Sequence, residues 1–312
     1  MSQAQVTIVI PAYNAGTYLR ETVASVQAQD GVHWQAVIVD DASSDDTLAI
    51  TQSLAAEDER ITAIAMDHGG VSVARNRGLE EANTPCTLFL DADDVLLPGA
   101  LQRMVNGLDD QCVAVYGEAV VAQSSGEVTG ATGAPVFGAR PVGHVLESII
   151  QHNFICTPGV LLARTDSVKK VGGFQPGLRL SEDWVLWCAL AAEGPFTYLG
   201  PDPLLAYRQV EGGVSATIGQ DWSIVEECIN AVYALPAVQA LDPATRARYR
   251  KTRTASAYAF MGTQAIKQRD FSSARTALIQ SLQRNPGALR QWILLGCAMV
   301  RYLPASVERR LK

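Results

Sequence analysis

The stretch LFLDADDVLLP, at residues 88–98, places three carboxylates in the middle of an apolar run. A carboxylate that is taken out of water is costly unless a cation or hydrogen-bond donors face it. The acids are Asp91, Asp93 and Asp94, and Ala92 separates the first two. Because side chains alternate along an extended chain, positions 91 and 93 point to the same side. The stretch therefore predicts a partner opposite these two acids.

The elements around this stretch predict an α/β fold. Strand-like runs rich in β-branched residues alternate with segments of helical spacing, which favours a mainly parallel sheet covered on both faces. We predict strands over 6–10, 36–39, 61–65 and 87–90, and helices over 17–29, 71–82 and 98–107, with a further helix capped within 43–47.

Polar clusters follow three of these strands, namely Tyr13-Asn14, Asp40-Asp41 and Asp91–Asp93. Ligands of such sheets bind outside the carboxyl ends of the strands. One acidic loop is ordinary turn chemistry, but three at equivalent strand ends predict a binding site.

The pattern changes after residue 113 and becomes helical beyond residue 218. We therefore divide the chain into a domain at 1–218 and a helical extension at 219–312. Asp221 is a candidate helix cap, and segments 244–268 and 271–284 predict a helix pair that resembles a single tetratricopeptide-type unit.

Charge is divided unevenly along the 312 residues. Residues 243–312 hold 14 Lys and Arg against two acids, for a net charge of +12, whereas residues 1–242 carry −19. A basic tail suits an anionic lipid or phosphate, and it equally suits the acidic body of its own chain.

Nothing in the sequence predicts export or a membrane span. The early apolar run is too short for a signal peptide, and no apolar stretch approaches the length of a bilayer. The six cysteines are scattered without a CxxC pair, so we expect reduced thiols. We expect a cytoplasmic protein, held peripherally at the inner face of the membrane if the tail binds lipid.

Five motifs in order make the chain resemble a family 2 glycosyltransferase over residues 5–210. They are VTIVIPAYNAGTYLRETVASV at 6–26, VIVDDASSDDT at 37–47, GGVSVARNRGLEEA at 69–82, LFLDADD at 88–94 and GGFQPGLRLSEDWVLWCALA at 172–191. The resemblance implies a GT-A type α/β fold, in which a mainly parallel nucleotide-binding sheet is flanked by helices. Here a C-terminal helical extension follows.

The resemblance also implies a nucleotide-sugar donor and no nucleic-acid partner. Pro11, Ala12 and Tyr13 match the loop that lines the nucleoside, and Asp41 matches the residue that accepts a hydrogen bond from the base. A carboxylate suits the N–H edge of uracil or thymine, which favours a UDP- or dTDP-linked sugar. Arg75 matches a basic position near the diphosphate; its alternative is a surface ion pair.

Asp91-Ala92-Asp93 matches the DXD motif of this family. The resemblance implies that Mn²⁺ or Mg²⁺ binds here and neutralises the diphosphate leaving group. Asp93 is the candidate direct ligand, and Asp91 contacts the ribose or the metal through water. Asp94 lies outside the motif and is expected to hold the loop; the structural alternative is an acidic helix cap.

Glu182 and Asp183 match the catalytic "ED" pair at the start of a helix. The resemblance implies that Asp183 is the general base that takes the proton of an acceptor hydroxyl, with inversion at the anomeric carbon. A helix N-terminus also tolerates acids for structural reasons alone. Many relatives carry a His shortly after a Tyr-Arg pair, and here Tyr207-Arg208 has none, so Arg208 is the candidate diphosphate contact in its place.

The sequence therefore favours a metal-dependent inverting glycosyltransferase that acts on a glycan or lipid-linked acceptor in cell-surface polysaccharide or glycolipid synthesis. Two alternatives stay open. A sugar-nucleotidyltransferase needs a glycine-rich basic loop after the first strand, where only Gly16 stands. A non-catalytic nucleotide-sugar-binding member or scaffold would be expected to have lost the acids at 41, 93 and 183.

Overall fold

The computed structural model describes residues 4–123, 128–132, 139–209 and 221–308. The chain divides into two compact units, Met1–Ile149 with Asn153–Glu211, and Ile150–His152 with Gly212–Lys312. The predicted boundary between residues 218 and 219 lies outside the described residues, as does most of the loop after Arg208 in which the missing His was noted.

Four parallel strands form one half of the sheet in the first unit, in the spatial order β3–β2–β1–β4. They are β1 (Val6–Ala12), β2 (Trp34–Asp41), β3 (Ile61–Met66) and β4 (Cys86–Phe89). β1 is buried along its whole length, as expected for a central strand of a covered parallel sheet. The predicted parallel sheet is confirmed in this half.

Three helices connect these strands and a fourth follows them in the chain, all close to the predicted positions. They are α1 (Leu19–Gln27), α2 (Thr47–Glu57), α3 (Val71–Glu81) and α4 (Ala100–Gly107). α3 lies directly on β1, because a methyl group added at Gly78 would be 2.3 Å from the Cγ1 of Val9. Only glycine permits this approach, and it fixes Arg75, one turn earlier on α3, against the sheet.

The other half of the sheet is mixed and continues in the order β4–β8–β6–β9–β5, with β7 paired to β6. Its strands are β5 (Val95–Leu96), β6 (Ala114–Ala122), β7 (Val128–Thr132), β8 (Leu161–Arg164) and β9 (Phe196–Arg208). β8 is antiparallel to both β4 and β6, whereas β9 is parallel to β6. The helical segments of this half are α5 (Leu146–Ile149), a 3₁₀ turn (Pro158–Val160), α6 (Thr165–Lys170) and α7 (Glu182–Glu193).

The second unit is helical, as predicted for the C-terminal extension. Its helices are α8 (Trp222–Ala234), α9 (Pro236–Gln239), α10 (Pro243–Lys267), α11 (Phe271–Arg284), α12 (Leu289–Val300) and α13 (Ala305–Glu308). Asp221 caps α8 by accepting from the backbone N–H of Ser223 at 2.9 Å. The predicted helix pair corresponds to α10 and α11, and its likeness to a tetratricopeptide unit stays a prediction.

Within the described part of the chain, no helix combines the length and the apolar character that a membrane crossing requires. All six cysteines are free thiols, as the scattered spacing predicts.

Candidate active site

The carboxyl ends of β1 and β2 meet at the predicted edge of the sheet. Tyr13, directly after β1, is 53% exposed, and its ring centroid lies 4.9 Å from that of His68. His68 Nδ1 is in turn 3.1 Å from an Oδ2 oxygen of Asp41 at the end of β2. The two rings form a partly open aromatic surface beside a buried carboxylate, which is a suitable surface for a planar base.

Asp41 is also the anchor of the loop that leads into α3. Its two carboxylate oxygens accept from the backbone N–H groups of Gly69 and Gly70, at 2.7 and 2.9 Å. The Oδ1 oxygen keeps a second lone pair that could accept from a base, and the base contact that the resemblance implies for Asp41 stays a prediction. Pro11 and Ala12 are buried at the end of β1. His68 was not among the predicted site residues, although its place directly before Gly69-Gly70 and after an acidic strand end was a usable signal.

Three loops at the site contain a non-glycine residue in the left-handed region. They are Asn14 after β1, Ala42 after β2 and Ser181 before α7, with φ values of 49°, 58° and 55°. Such conformations cost on the order of 1–3 kcal/mol each and tend to cluster where function demands a particular geometry. Ser181 turns the chain so that Glu182 and Asp183 begin the helix.

Arg75 joins the two acidic motifs of the site. Its side chain is 3% exposed, and its Nη2 and Nη1 atoms donate to Asp91 Oδ1 and Glu182 Oε1, each at 2.6 Å. The guanidinium also lies 4.9 Å over the ring of Phe174. The alternative predicted an ion pair at the surface; the ion pair is present, but it is buried. The diphosphate contact that the resemblance implies for Arg75 stays a prediction.

Every residue of the acidic loop after β4 is anchored. Thr22 Oγ1 donates to the carbonyl of Ala92 at 2.8 Å, and Arg208 Nε donates to the carbonyl of Asp93 at 2.8 Å. Asp94, which is 1% exposed, accepts from the backbone N–H of Arg208 at 3.0 Å through Oδ1. Asp94 thus holds the loop, as expected, and leaves Asp91 and Asp93 as its partly exposed acids.

The charged form of the Asp93 carboxylate is destabilised by its surroundings. Desolvation and then the neighbouring charge of Asp91 raise the pKa of Asp93 to about 6. A divalent cation would relieve both effects, and Mg²⁺ and Mn²⁺ characteristically take one or two carboxylates together with substrate phosphates and waters. No cluster of three or more His, Cys, Asp or Glu side chains suited to a metal occurs among the residues described. The donor set therefore fits a cation that shares its ligands with a diphosphate.

The carboxylate of Asp183 is fixed in place and has a raised pKa. Desolvation raises its pKa to about 7; the adjacent Glu182 adds to this and Arg75 opposes it. Its Oδ1 accepts from the backbone N–H of Trp184 at 2.6 Å, which fixes the carboxylate, and the residue keeps partial solvent exposure. A pKa near the working pH suits proton abstraction.

Arg208 is turned towards the protein. Its Nη2 donates to Glu21 Oε2 at 2.7 Å, and its guanidinium lies 4.9 Å over the ring of Tyr18. The side chain is 2% exposed. Its contacts with the backbone of Asp93 and with Asp94 brace the acidic loop, and the diphosphate contact predicted for it stays a prediction. Trp184 and Trp187 are fully buried core residues.

One half of the sheet is parallel and the other half is mixed. An acidic loop follows β4, and Arg75 links this loop to the acid pair at the start of α7. This arrangement is the GT-A architecture of sugar-transferring enzymes. The profile of "Glycosyl transferase family 2" matches residues 7–171, and the chain belongs to that family. The protein is therefore a glycosyltransferase, and the alternative of a sugar-nucleotidyltransferase is excluded.

Two bacterial proteins show the extent of the likeness. The chain is 31% identical over 218 residues to the putative teichuronic acid biosynthesis glycosyltransferase TuaG of Bacillus subtilis. The matched segment covers 68% of this chain and 81% of TuaG. The chain is 28% identical to the succinoglycan biosynthesis protein ExoO of Rhizobium meliloti, over 96% of this chain and 87% of that protein. The ExoO match includes the helical unit.

Solved structures agree on the fold. S. aureus TarS 1–349, in complex with UDP-GlcNAc, superposes with a TM-score of 0.65 at 18% identity, over 95% of this chain and 88% of that one. The mannosyltransferase PcManGT of Pyrobaculum calidifontis, in complex with GDP-Man and Mn²⁺, gives 0.61 at 18% identity, over 99% and 85%.

Proposed function

We propose that the protein is a metal-dependent, inverting glycosyltransferase that uses a nucleotide-diphosphate sugar. The observation that carries this proposal is the buried Arg75 bridge, which links Asp91 of the acidic loop to Glu182, the residue next to Asp183. One network thus holds the candidate metal motif and the candidate base. The donor-bound states of TarS and PcManGT support a nucleotide-sugar, and the Asp41 environment favours a UDP- or dTDP-linked one.

The chemistry assigned to Asp183 is a single displacement. Its carboxylate accepts the proton of an acceptor hydroxyl while the hydroxyl oxygen attacks the anomeric carbon. The bond from that carbon to the diphosphate breaks, and its electron pair leaves with the diphosphate. Because the attack comes opposite the leaving group, the configuration inverts. Glu182 is committed to Arg75 and acts as a positioning residue for the base.

Asp93, and more loosely Asp91, would hold Mn²⁺ or Mg²⁺, which would supply positive charge to the diphosphate. The chain itself keeps the loop in place through Thr22 and Arg208. A loop that is fixed before the ion arrives costs little reorganisation on binding.

The metal assignment predicts that Asp93→Asn raises the Mn²⁺ concentration needed for half-maximal activity by about tenfold or more, since it removes a charged ligand. Nucleotide release from a panel of nucleotide-sugars, measured after chelation and with Mn²⁺ added back, checks this. Asp67→Asn removes an exposed carboxylate of the same unit and serves as the matched control. Full wild-type activity in excess chelator would contradict metal dependence.

The acceptor is assigned by class. We propose a glycan or lipid-linked saccharide in cell-surface polysaccharide or glycolipid synthesis, supported by the names of TuaG and ExoO. We further propose that the enzyme is cytoplasmic and works peripherally at an anionic membrane. α12 supports this contact, because Leu289, Trp292 and Val300 are 72%, 51% and 71% exposed and Arg290 and Arg301 lie beside them in the sequence. An exposed apolar face edged by cations suits a membrane surface.

This contact predicts that the protein sediments with phosphatidylglycerol vesicles at low salt and that Trp292→Glu reduces the bound fraction several-fold, because the change places a like charge at the anionic surface. Phe260→Glu alters an equally exposed ring on α10 (53% exposed) and is the matched control. Absence of sedimentation at low salt, or equal losses in both variants, would remove the membrane proposal.

A further inference from the structure

α10 carries an unusual charge pattern. It holds six cations and no acid, and five of the cations fall within residues 246–253. Like charges at helical spacing destabilise a helix unless opposite charges face them. The pattern therefore indicates an anionic partner for the first half of this helix.

A pocket of about 420 Å³ opens beside these cations within the helical unit. α10 contributes Arg250 and Lys251 to its lining, α11 contributes Arg284, and Glu226 of α8 is its one acid. None of the three cations lies within ion-pair distance of a carboxylate in the described part of the chain. The pocket therefore has a net positive charge that its own lining does not neutralise.

The cations are held in place by uncharged groups. Arg284 Nη1 donates to the backbone carbonyl and the side-chain Oε1 of Gln280, at 2.9 and 2.7 Å. Arg250 donates to Asn230. Since neutral acceptors orient the two guanidinium groups without consuming their charge, the pocket is preorganised for an anion.

An aromatic wall adds a second kind of recognition. Trp222 and Tyr258 stack with ring centroids 3.8 Å apart and planes 11° from parallel. Trp222 Nε1 donates to Glu226 at 3.1 Å, and Arg284 lies 5.0 Å over Tyr258. Flat aromatic surfaces that carry polar groups at their edges suit ligands with both apolar faces and hydroxyls. Sugar rings have this combination, whereas a free inorganic anion does not.

We propose that this pocket binds a saccharide that carries a carboxylate or phosphate group. The cations engage the anionic group, and the face of Trp222 that is turned away from Tyr258 packs against the ring. All residues that line the pocket belong to the helical unit, whereas the candidate donor residues belong to the first unit. The proposal therefore deepens the proposed function by giving the enzyme a place to hold a charged acceptor chain. That role as an acceptor site rests on the proposed function; the binding itself does not.

The test is titration calorimetry on the full chain without donor, so that its outcome is independent of transfer activity. The probes are a galacturonate tetrasaccharide, maltotetraose as its neutral counterpart, and inorganic phosphate. We expect the charged tetrasaccharide to bind about tenfold or more tightly than either of the others, and its affinity to fall as salt rises. Equal affinity for maltotetraose, equal affinity for phosphate, or no binding of the charged tetrasaccharide would each overturn the proposal.

Matched variants locate the binding. Arg250→Gln with Lys251→Gln is expected to weaken the charged tetrasaccharide about tenfold or more, since each lost ionic hydrogen bond weakens binding substantially. Arg248→Gln with Lys267→Gln removes the same charge from the same helix outside the pocket lining, and is expected to change the affinity less than about threefold. If both double variants lost the same affinity, the binding would depend only on the net charge of the helix, and the proposal would be overturned.

The experiment has two further outcomes. If the double variant loses helical circular dichroism, Lys251→Gln alone replaces it, because Lys251 is exposed and has no partner among the described residues. If phosphatidylglycerol vesicles bind through Arg250 and Lys251 while the charged tetrasaccharide does not, the pocket is a lipid site and the saccharide proposal fails.

Discussion

Asp183→Asn is expected to lower the transfer rate by about 10²–10⁴-fold, the usual contribution of a positioned general base, while nucleotide-sugar binding stays intact. Asparagine keeps the size of the side chain, and its Oδ1 still accepts from the backbone N–H of Trp184. It has no basic oxygen to take a proton from the acceptor. Transfer kinetics and donor titration on the same protein separate the two effects.

Asp166→Asn is the matched control, because Asp166 is an exposed acid in the first turn of α6. It removes the same charge from a helix N-terminus that lies outside the network and is expected to leave transfer unchanged. Near-normal transfer by Asp183→Asn would show that another group takes the proton.

The assignment of Asp183 as the general base also predicts how the transfer rate falls at acid pH. Burial raises the pKa of Asp183 to about 7, and only the deprotonated carboxylate can act as base. Transfer by the wild type should therefore fall about tenfold per unit as the pH drops below 7. The residual activity of Asp183→Asn should lack this limb. A wild-type rate that stays flat down to pH 5 would contradict the assignment.

The parallel half of the fold was predictable because each strand is a β-branched run and each helix has an apolar face, so local sequence and tertiary structure agree. β9 was not predictable. It runs through Gly200-Pro201 and Pro203, residues that ordinarily end a strand, and it pairs with β6 across register irregularities at Glu118. The two-residue β5 is too short to show a period.

The acids of the candidate site could be predicted from the sequence. The bridge that Arg75 forms between Asp91 and Glu182 could not be predicted. Asp91 lies 16 positions from Arg75 and Glu182 lies 107 positions away. No spacing along one helix or strand can reveal such a contact, since it depends on the packing of α3 against β1 and on the turn at Ser181. The same limit applies to Arg208, whose Nε atom donates to the carbonyl of Asp93, 115 positions away along the chain.

Arg75→Met is expected to lower the free energy of unfolding by about 3 kcal/mol, because removing one partner of a buried ion pair leaves the other charges uncompensated. Asp91 and Glu182 remain partly exposed, with side chains 27% and 14% exposed, so the loss falls at the lower end of the usual range. Denaturant unfolding checks the value. Arg77→Met removes the surface pairs of the same helix and should cost less than about 1 kcal/mol.

A second readout separates positioning from simple stability. Arg75 opposes the rise in the pKa of Asp183, so its loss should move the acid limb of the transfer profile to a pH above that of the wild type. A residue that only stabilises the fold would lower the amount of active enzyme without moving that limb. An unmoved limb in folded Arg75→Met would therefore refute the positioning role.

The double variant Arg75→Met with Glu182→Gln tests whether the two residues act as one unit. If Glu182 is the acid left uncompensated next to the base, neutralising it should restore part of the lost stability and return the acid limb towards pH 7, because Glu182 raises the pKa of Asp183. The two substitutions should therefore be strongly non-additive. Additive losses would mean that Arg75 and Glu182 act independently, and that the bridge is not what holds the acidic loop and the base in one network.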